Sequence, residues 1–157
     1  MIVFTAETTG GHLYPAIAVA QEVAENSLFI VSKDKLGGEI VRKYGFKAVE
    51  ISVEKGLFGL IKGLVQSYRI LRAQPVKLVV SAGGRVTLPV LLVSILLRKP
   101  IILLEQNTVP GRVNRLVKRA AKRIFLSFEE SRAYFKSVAN KVEVIGDPIR
   151  KRFLSDQ

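Results

Sequence analysis

The chain has 157 residues, 48% of them hydrophobic, which suits one domain of ordinary size with a real core. It contains no cysteine, which excludes disulfides, thiolate metal sites and a cysteine nucleophile. Its formal charge of +12 directs it toward polyanions: nucleic acid, an anionic membrane face or a phosphorylated substrate.

The first residues, "MIVFTA", predict a strand over 1–6 and lack the basic leader and long apolar run of a secretory signal. Helical spacing follows over 12–25, and the junction is "TTGGH", residues 8–12. Glycines let a backbone approach a ligand closely, and a helix N-terminus attracts anions. Thr9 is also a capping residue, so this loop reads either as an anion cradle or as a tight capped turn. It is not the dinucleotide fingerprint, which needs a third, spaced glycine. His12 is the only histidine and falls in the first helical turn, where the helix dipole disfavours imidazolium. A neutral ring there accepts a proton from a ligand hydroxyl or simply bonds a nearby loop.

Strands are predicted over 28–32 and 47–53, with a helix between them at 37–44. Residues 55–72, "KGLFGLIKGLVQSYRILR", predict a helix over 57–73. Leu57, Phe58, Leu60, Ile61, Leu64, Val65, Tyr68 and Leu71 recur at helical spacing. One reading packs this face on the sheet. The other makes it a membrane-interface helix, because its start is apolar nearly all round, loosened by Gly56, Gly59 and Gly63, and flanked by Lys55 and Lys62.

A strand over 77–82 leads into "SAGGRVTLP", residues 81–89, and a helix over 87–98. This is a second strand–glycine pair–helix junction. Two such junctions on neighbouring strands place two helix N-termini around one cleft. Arg85 adds a guanidinium for phosphate, or is a solvated arginine. The apolar run 86–97 is shorter than the roughly 20 residues that span a bilayer, so a soluble cytoplasmic protein is expected.

A strand over 101–105 ends in Glu105, Gln106 and Asn107, polar side chains that either bind a ligand or satisfy loop backbone. The next helix is predicted over 111–122, with basic residues 112, 115, 119, 122 and 123 on one side and Val113, Leu116, Val117 and Ala120 on the other. A strand over 124–128, a helix over 129–137 and a strand over 142–145 follow. From Gly146 the chain turns polar and basic. The expected organisation is one domain over 1–146 and the start of a linker over 147–157. Alternating strands and helices predict an α/β, doubly wound, mainly parallel sheet of about six or seven strands with helices on both faces. "LVVSA" and "IILLE" are apolar on both sides, as a doubly covered sheet demands. Ligands gather at the carboxyl ends of such strands.

"TGGHLYPAIAVAQEV", "AGGRVTLP", "EQNTVPGRVNRLVKRAAKR" and "VIGDPIR" stand in the order and spacing of the N-terminal half of the MurG family of glycosyltransferases. The chain resembles that half over essentially its whole length. The resemblance implies one Rossmann-like half of a two-domain GT-B fold. Thr9, Gly10, Gly11 and His12 match the family's first glycine loop, GGTGGH, while Glu7 and Thr8 replace two glycines. Gly83, Gly84 and Val86 match the second, GGYVS, with Arg85 for tyrosine and Thr87 for serine. Glu105, Gln106 and Asn107 match HEQN, with Leu104 for histidine; Asn114 matches, and Asp147 replaces an asparagine.

By this resemblance the chain is the acceptor-binding domain of an inverting, UDP-GlcNAc-dependent hexosyltransferase of peptidoglycan synthesis. The acceptor would be lipid I, undecaprenyl-diphosphate-MurNAc-pentapeptide. Thr9, Gly10, Gly11, Gly83, Gly84, Arg85 and Thr87 would hold the diphosphate, and Gln106, Asn107 and Asn114 the substrate. His12 is the first candidate for the base, since histidine ordinarily titrates near neutrality; Glu105 is the other, or fixes the acceptor. No cofactor and no metal are expected. UDP-GlcNAc would be held mostly by a C-terminal half lying outside these residues, without which the chain is inactive. The alternative is a non-catalytic, membrane-recruiting subunit of a split transferase. Leu57, Phe58, Leu60, Ile61 and Leu64, with the basic charge, imply peripheral binding to the anionic inner face of the cell membrane. A nucleic-acid partner is not expected, because no basic strand is rich in aromatics. A nicotinamide-dependent oxidoreductase is disfavoured by the missing glycine.

Overall fold

The computed structural model describes residues 1–148 apart from Thr9, Ala24, Asp34 and Lys35. In chain order it contains β1 (Ile2–Ala6), α1 (Gly10–Glu22), β2 (Ser27–Ser32), α2 (Gly37–Lys43), β3 (Lys47–Ile51) and α3 (Leu57–Ala73). There follow β4 (Leu78–Ser81), α4 (Thr87–Leu96), β5 (Ile101–Glu105), α5 (Arg112–Val117), β6 (Arg123–Leu126), a 3-10 stretch (Glu129–Lys141) and β7 (Val142–Val144). The seven strands form one sheet in the order β3-β2-β1-β4-β5-β6-β7, and every neighbouring pair is parallel.

Alternation along each strand feeds two cores. On β1, Val3 faces one side and Phe4 and Ala6 the other. Helices α1 and α2 cover the Phe4 side with Leu13, Ala16, Ile17, Ala20 and Val41, and the Phe4 and Phe29 rings stack at 5.1 Å. Helices α3, α4 and α5 and the 3-10 stretch cover the Val3 side with Leu71, Val90, Leu91, Val117 and Phe135. Both faces of the central strands are dry, which is why their sequences are continuously apolar.

Helix α3 packs opposite to the way its composition suggests. Its buried stripe is Gly59, Gly63, Ser67 and Leu71, one residue per turn. The glycines do not loosen it. They admit close neighbours: a methyl at Gly59 would overlap the backbone of Glu54, and one at Gly63 would lie 3.0 Å from Pro89 Cγ on α4. Leu57, Phe58, Ile61, Val65 and Tyr68 are thereby turned outward, while Leu71 is buried and Leu64 and Ile70 pack on the core.

Two elements differ from expectation. Helix α5 stops at Val117 rather than running to 122, because the Lys122 N–H already donates to the Ile101 carbonyl at 2.8 Å. Once the chain is in register with the sheet it cannot continue a helix, so Arg119, Lys122 and Arg123 do not extend the row of Arg112 and Arg115. Residues expected as a helix over 129–137 form the 3-10 stretch, broken at Phe135 and Val138, whose side chains are both buried. Of the expected linker only Asp147 and Pro148 are described, with the Ser127 hydroxyl donating to Asp147 Oδ1 at 3.2 Å; residues 149–157 lie outside the described residues. At the amino end of the sheet, Glu25 pairs with Lys77 and the chain's amino terminus, and the Lys77 ammonium holds its carboxyl below the usual range. Among the described residues no helix is long and apolar enough to cross a membrane.

Gly59→Ala tests the close approach of α3. Helix propensity alone favours alanine by about 1 kcal/mol. Overlap with fixed backbone outweighs it, and a net loss of roughly 1–3 kcal/mol is expected from denaturant unfolding. An unchanged or raised midpoint would mean that α3 has room to spare.

Candidate functional site at the carboxyl ends of β1, β4 and β5

Strands β1, β4 and β5 are neighbours in the sheet, so the loops that leave their carboxyl ends meet. The first carries His12, the third residue of α1. Its Nδ1 lies 2.8 Å from the Ala82 carbonyl and 3.4 Å from Gln106 Oε1. A carbonyl only accepts, so Nδ1 carries the hydrogen and donates it. The ring's other nitrogen, Nε2, is then the one able to take a proton.

The second loop passes beneath that ring. Gly83 and Gly84 have φ of 93° and 100°, a backbone region that side chains avoid. A Cβ at Gly83 would lie 3.5 Å from His12 Cε1 and 3.6 Å from Asn114 Nδ2. Bare backbone at Gly83 is therefore where the histidine and Asn114 come together.

The third loop is organised by Glu105, which is only 2% exposed. Its Oε1 accepts from the Asn107 backbone N–H at 3.0 Å and from Asn107 Nδ2 at 2.9 Å. Its Oε2 accepts from the Gly111 N–H at 2.9 Å and from Asn114 Nδ2 at 3.0 Å. Asn114 Nδ2 also donates to the Leu104 carbonyl at 3.1 Å. Charge-assisted bonds of this kind are the strong ones, and this carboxylate is saturated with them. It holds the turn from 105 to 114 in shape and has no lone pair set aside for chemistry.

These loops enclose a cavity of about 260 Å³ whose walls include His12, Gly83, Gly84, Arg85, Arg112 and Asn114. A larger hollow of about 750 Å³ lies at the amino end of the sheet, beside Met1, Leu28 and Lys47, and has no comparable convergence of loops. Two buried atoms at the loop cluster have no protein partner: Gln106 Nε2, a donor, and Asn114 Oδ1, an acceptor.

The expected diphosphate residues separate. Gly11 is exposed, with open space where a side chain would stand. Thr9 lies outside the described residues. Arg85 is exposed at the cavity rim. Thr87 is fully buried and its hydroxyl donates to the Gly84 carbonyl at 2.7 Å, so it serves the turn rather than the cavity. A residue not proposed as part of the site occupies this loop: Glu7 Oε2 accepts from the Arg85 N–H at 2.7 Å and the Val86 N–H at 3.3 Å. The signal for it was its position directly after β1. The Ala82 carbonyl, being backbone, left no signal.

The apolar residues proposed for a membrane face divide by their position on α3. Phe58 is 90%, Leu57 73% and Ile61 50% exposed. Leu60 and Leu64 are half-buried, and Leu64 packs on the core. Val65, Tyr68, Ile95 and Leu96 extend the exposed set onto α4, around an apolar groove of about 590 Å³ that also contains Leu92 and Arg69.

Residues 2–126 match the glycosyltransferase family 28 N-terminal domain. The chain belongs to glycosyltransferase family 28. It is 37% identical to the UDP-N-acetylglucosamine--N-acetylmuramyl-(pentapeptide) pyrophosphoryl-undecaprenol N-acetylglucosamine transferase of Caldicellulosiruptor saccharolyticus, over 98% of this chain and 46% of that protein. The enzyme of the same name from Thermoanaerobacter sp. is 36% identical over 96% of this chain and 46% of its own. The chain thus spans about half the length of these relatives. The crystal structure of Acinetobacter baumannii MurG shares its fold, with a TM-score of 0.82 and 23% identity over 99% of this chain and 48% of that one. This family 28 domain is therefore the Rossmann-like N-terminal half of a GT-B architecture.

Glu105→Gln places an amide N–H2 where a carboxylate oxygen receives donors. A loss of roughly 2–3 kcal/mol in unfolding free energy is expected, with faster hydrogen exchange at the Asn107 and Gly111 amides. Unchanged exchange at both would show that the turn holds without this carboxylate.

Proposed function

We propose that this domain binds the lipid-linked diphosphate acceptor of a UDP-GlcNAc-dependent, inverting glycosyltransferase, and that His12 is the general base. The hydrogen bond from His12 Nδ1 to the Ala82 carbonyl carries this reading, because it leaves Nε2 to accept a proton on a ring that lines the cavity. The acceptor hydroxyl attacks the anomeric carbon of the donor sugar. The bond from that carbon to UDP breaks, UDP leaves with the bonding pair, and the hydroxyl proton passes to Nε2. The donor is held by a second half, joined through residues 147–157 or carried on a separate chain. The relatives' names support N-acetylglucosamine as the sugar transferred and pyrophosphoryl-undecaprenol as the carrier.

Within the domain, the N-terminus of α1 at Gly10 and Gly11 receives the diphosphate, where backbone N–H groups and the helix dipole favour an anion. Gln106 Nε2 and Asn114 Oδ1, both without protein partners, supply a donor and an acceptor for the sugar. Glu105 is assigned to positioning, since its four hydrogen bonds already fill its oxygens.

The exposed face of α3 and α4 is the membrane contact. Leu57, Phe58 and Ile61 enter the interface, and Lys55, Arg69 and Arg72 are exposed on the same helix or its approach. Each such charge contributes on the order of 1 kcal/mol near an anionic leaflet. Lys62 is less available, being paired with Glu54 at 3.2 Å.

Two measurements check these assignments. His12→Ala in the complete enzyme is expected to lower kcat by roughly 10²–10⁴ with a smaller change in KM; turnover within a few-fold of the parent would sink the base assignment. Phe58→Glu is expected to weaken co-sedimentation with vesicles containing anionic lipid, as is raised salt. Binding that ignores both changes would leave the α3–α4 face without a membrane role.

A further inference from the structure

We infer that Glu7 decides where the acceptor's phosphates bind: its carboxylate fills the anion-receiving end of α4 and confines the diphosphate to the α1 loop. This rests on the acceptor-binding reading above. The two glycine-bearing junctions look equivalent in sequence, since each joins a parallel strand to a helix. The structure makes them unequal. The leading N–H groups of a helix have no partner within it and await an acceptor. In the turn that enters α4, the Arg85 and Val86 N–H groups already meet one, Glu7 Oε2, at 2.7 and 3.3 Å, and the first helical N–H groups, of Thr87 and Leu88, are taken by the Gly84 and Arg85 carbonyls at 3.3 and 3.2 Å.

The carboxylate is held there, not resting by chance. The Glu7 backbone N–H donates to the Gly83 carbonyl at 3.0 Å, which fixes the base of the side chain against the second loop. The side chain then crosses directly over Gly84, where any Cβ would overlap Glu7 Cβ. Gly84, at φ 100°, thus accommodates the glutamate rather than an incoming ligand. Thr87, the hydroxyl nearest this helix end, donates to Gly84 and is also engaged. A phosphate oxygen would have to take the same position and would meet a like charge. Gly11, by contrast, opens onto free space.

The consequence is a division of the cleft. Phosphate binds at the α1 end. The strip between Gly84 and the His12 ring is left to the uncharged sugar, whose hydroxyl needs that ring. Arg85 and Arg112 at the cavity rim contribute side-chain charge, but the backbone of the second loop contributes none.

The test follows backbone amide resonances of the whole chain during titration with inorganic pyrophosphate. In the unmodified chain, Gly10, Gly11 and His12 are expected to shift while Arg85 and Val86 stay in place. In Glu7→Gly, Arg85 and Val86 join the responding set, and pyrophosphate binds about tenfold tighter. Glu7→Gln, which keeps an oxygen acceptor but no charge, gives a smaller gain. Retained amide dispersion shows that the variants fold. Shifts at Arg85 and Val86 in the unmodified chain overturn the role of Glu7 while leaving acceptor binding intact, and no variant is needed to see it. A Glu7→Gly chain that folds and gains nothing at Arg85 and Val86 overturns it as well. Response at Arg85 and Val86 only in Glu7→Gly, with none at 10–12 in either chain, upholds Glu7 and sinks the α1 phosphate site. Silence in both chains sinks both.

Discussion

The site depends on one constraint, the order in which the chain lays down its parallel strands. From β1 it builds outward through β2 to β3, then crosses back to place β4 on the other side of β1. Helices α1 and α4 therefore leave adjacent strands toward opposite faces of the sheet. Their connecting loops diverge, and the gap between them opens at the carboxyl ends of the strands. Everything polar in the cleft hangs on that gap. The Ala82 carbonyl reaches His12 only because β4 pairs with β1 in register from Ile2↔Leu78 to Thr5↔Ser81.

Within the cleft the charged and titratable groups have separate tasks set by their surroundings. Glu105 is buried and bonded on both oxygens, so it shapes a loop. His12 is half-buried and bonded through one nitrogen, which leaves the other free for the proton transfer proposed for it. Glu7 accepts from backbone N–H groups of another loop, so its carboxyl is held over the turn that enters α4. Residue type alone ranks these groups poorly. What separates them is which lone pairs remain unclaimed.

Helix α3 shows how packing can invert an apparent amphipathic pattern. Its small residues point inward because α4 and the β3–α3 loop come too close for anything larger. Leu57, Phe58, Ile61, Val65 and Tyr68 are left on the outside by geometry, not by hydrophobicity, while Leu71 keeps the last turns anchored in the core. The cost of that exposure in water is what a lipid interface would offset. One packing choice thus links the fold of the Val3 side to the outer surface on which membrane binding is proposed.

Much of this was legible in residue order. Strand and helix alternation, runs apolar on both faces and the two glycine junctions fix a parallel, doubly covered sheet with its site at the strand ends, because period and turn chemistry are local properties. The resemblance of the quoted motifs to one family points the same way and is matched by the family comparison over residues 2–126. Residue order did not reveal that α5 would stop at Val117, since a hydrogen bond from Lys122 to a strand some twenty residues earlier ends it. Nor did it reveal that Thr87 is buried, that Glu105 is saturated, or that Glu7 sits on the second loop. Each of those facts is a contact between segments far apart in the chain, and only the folded sheet sets such distances.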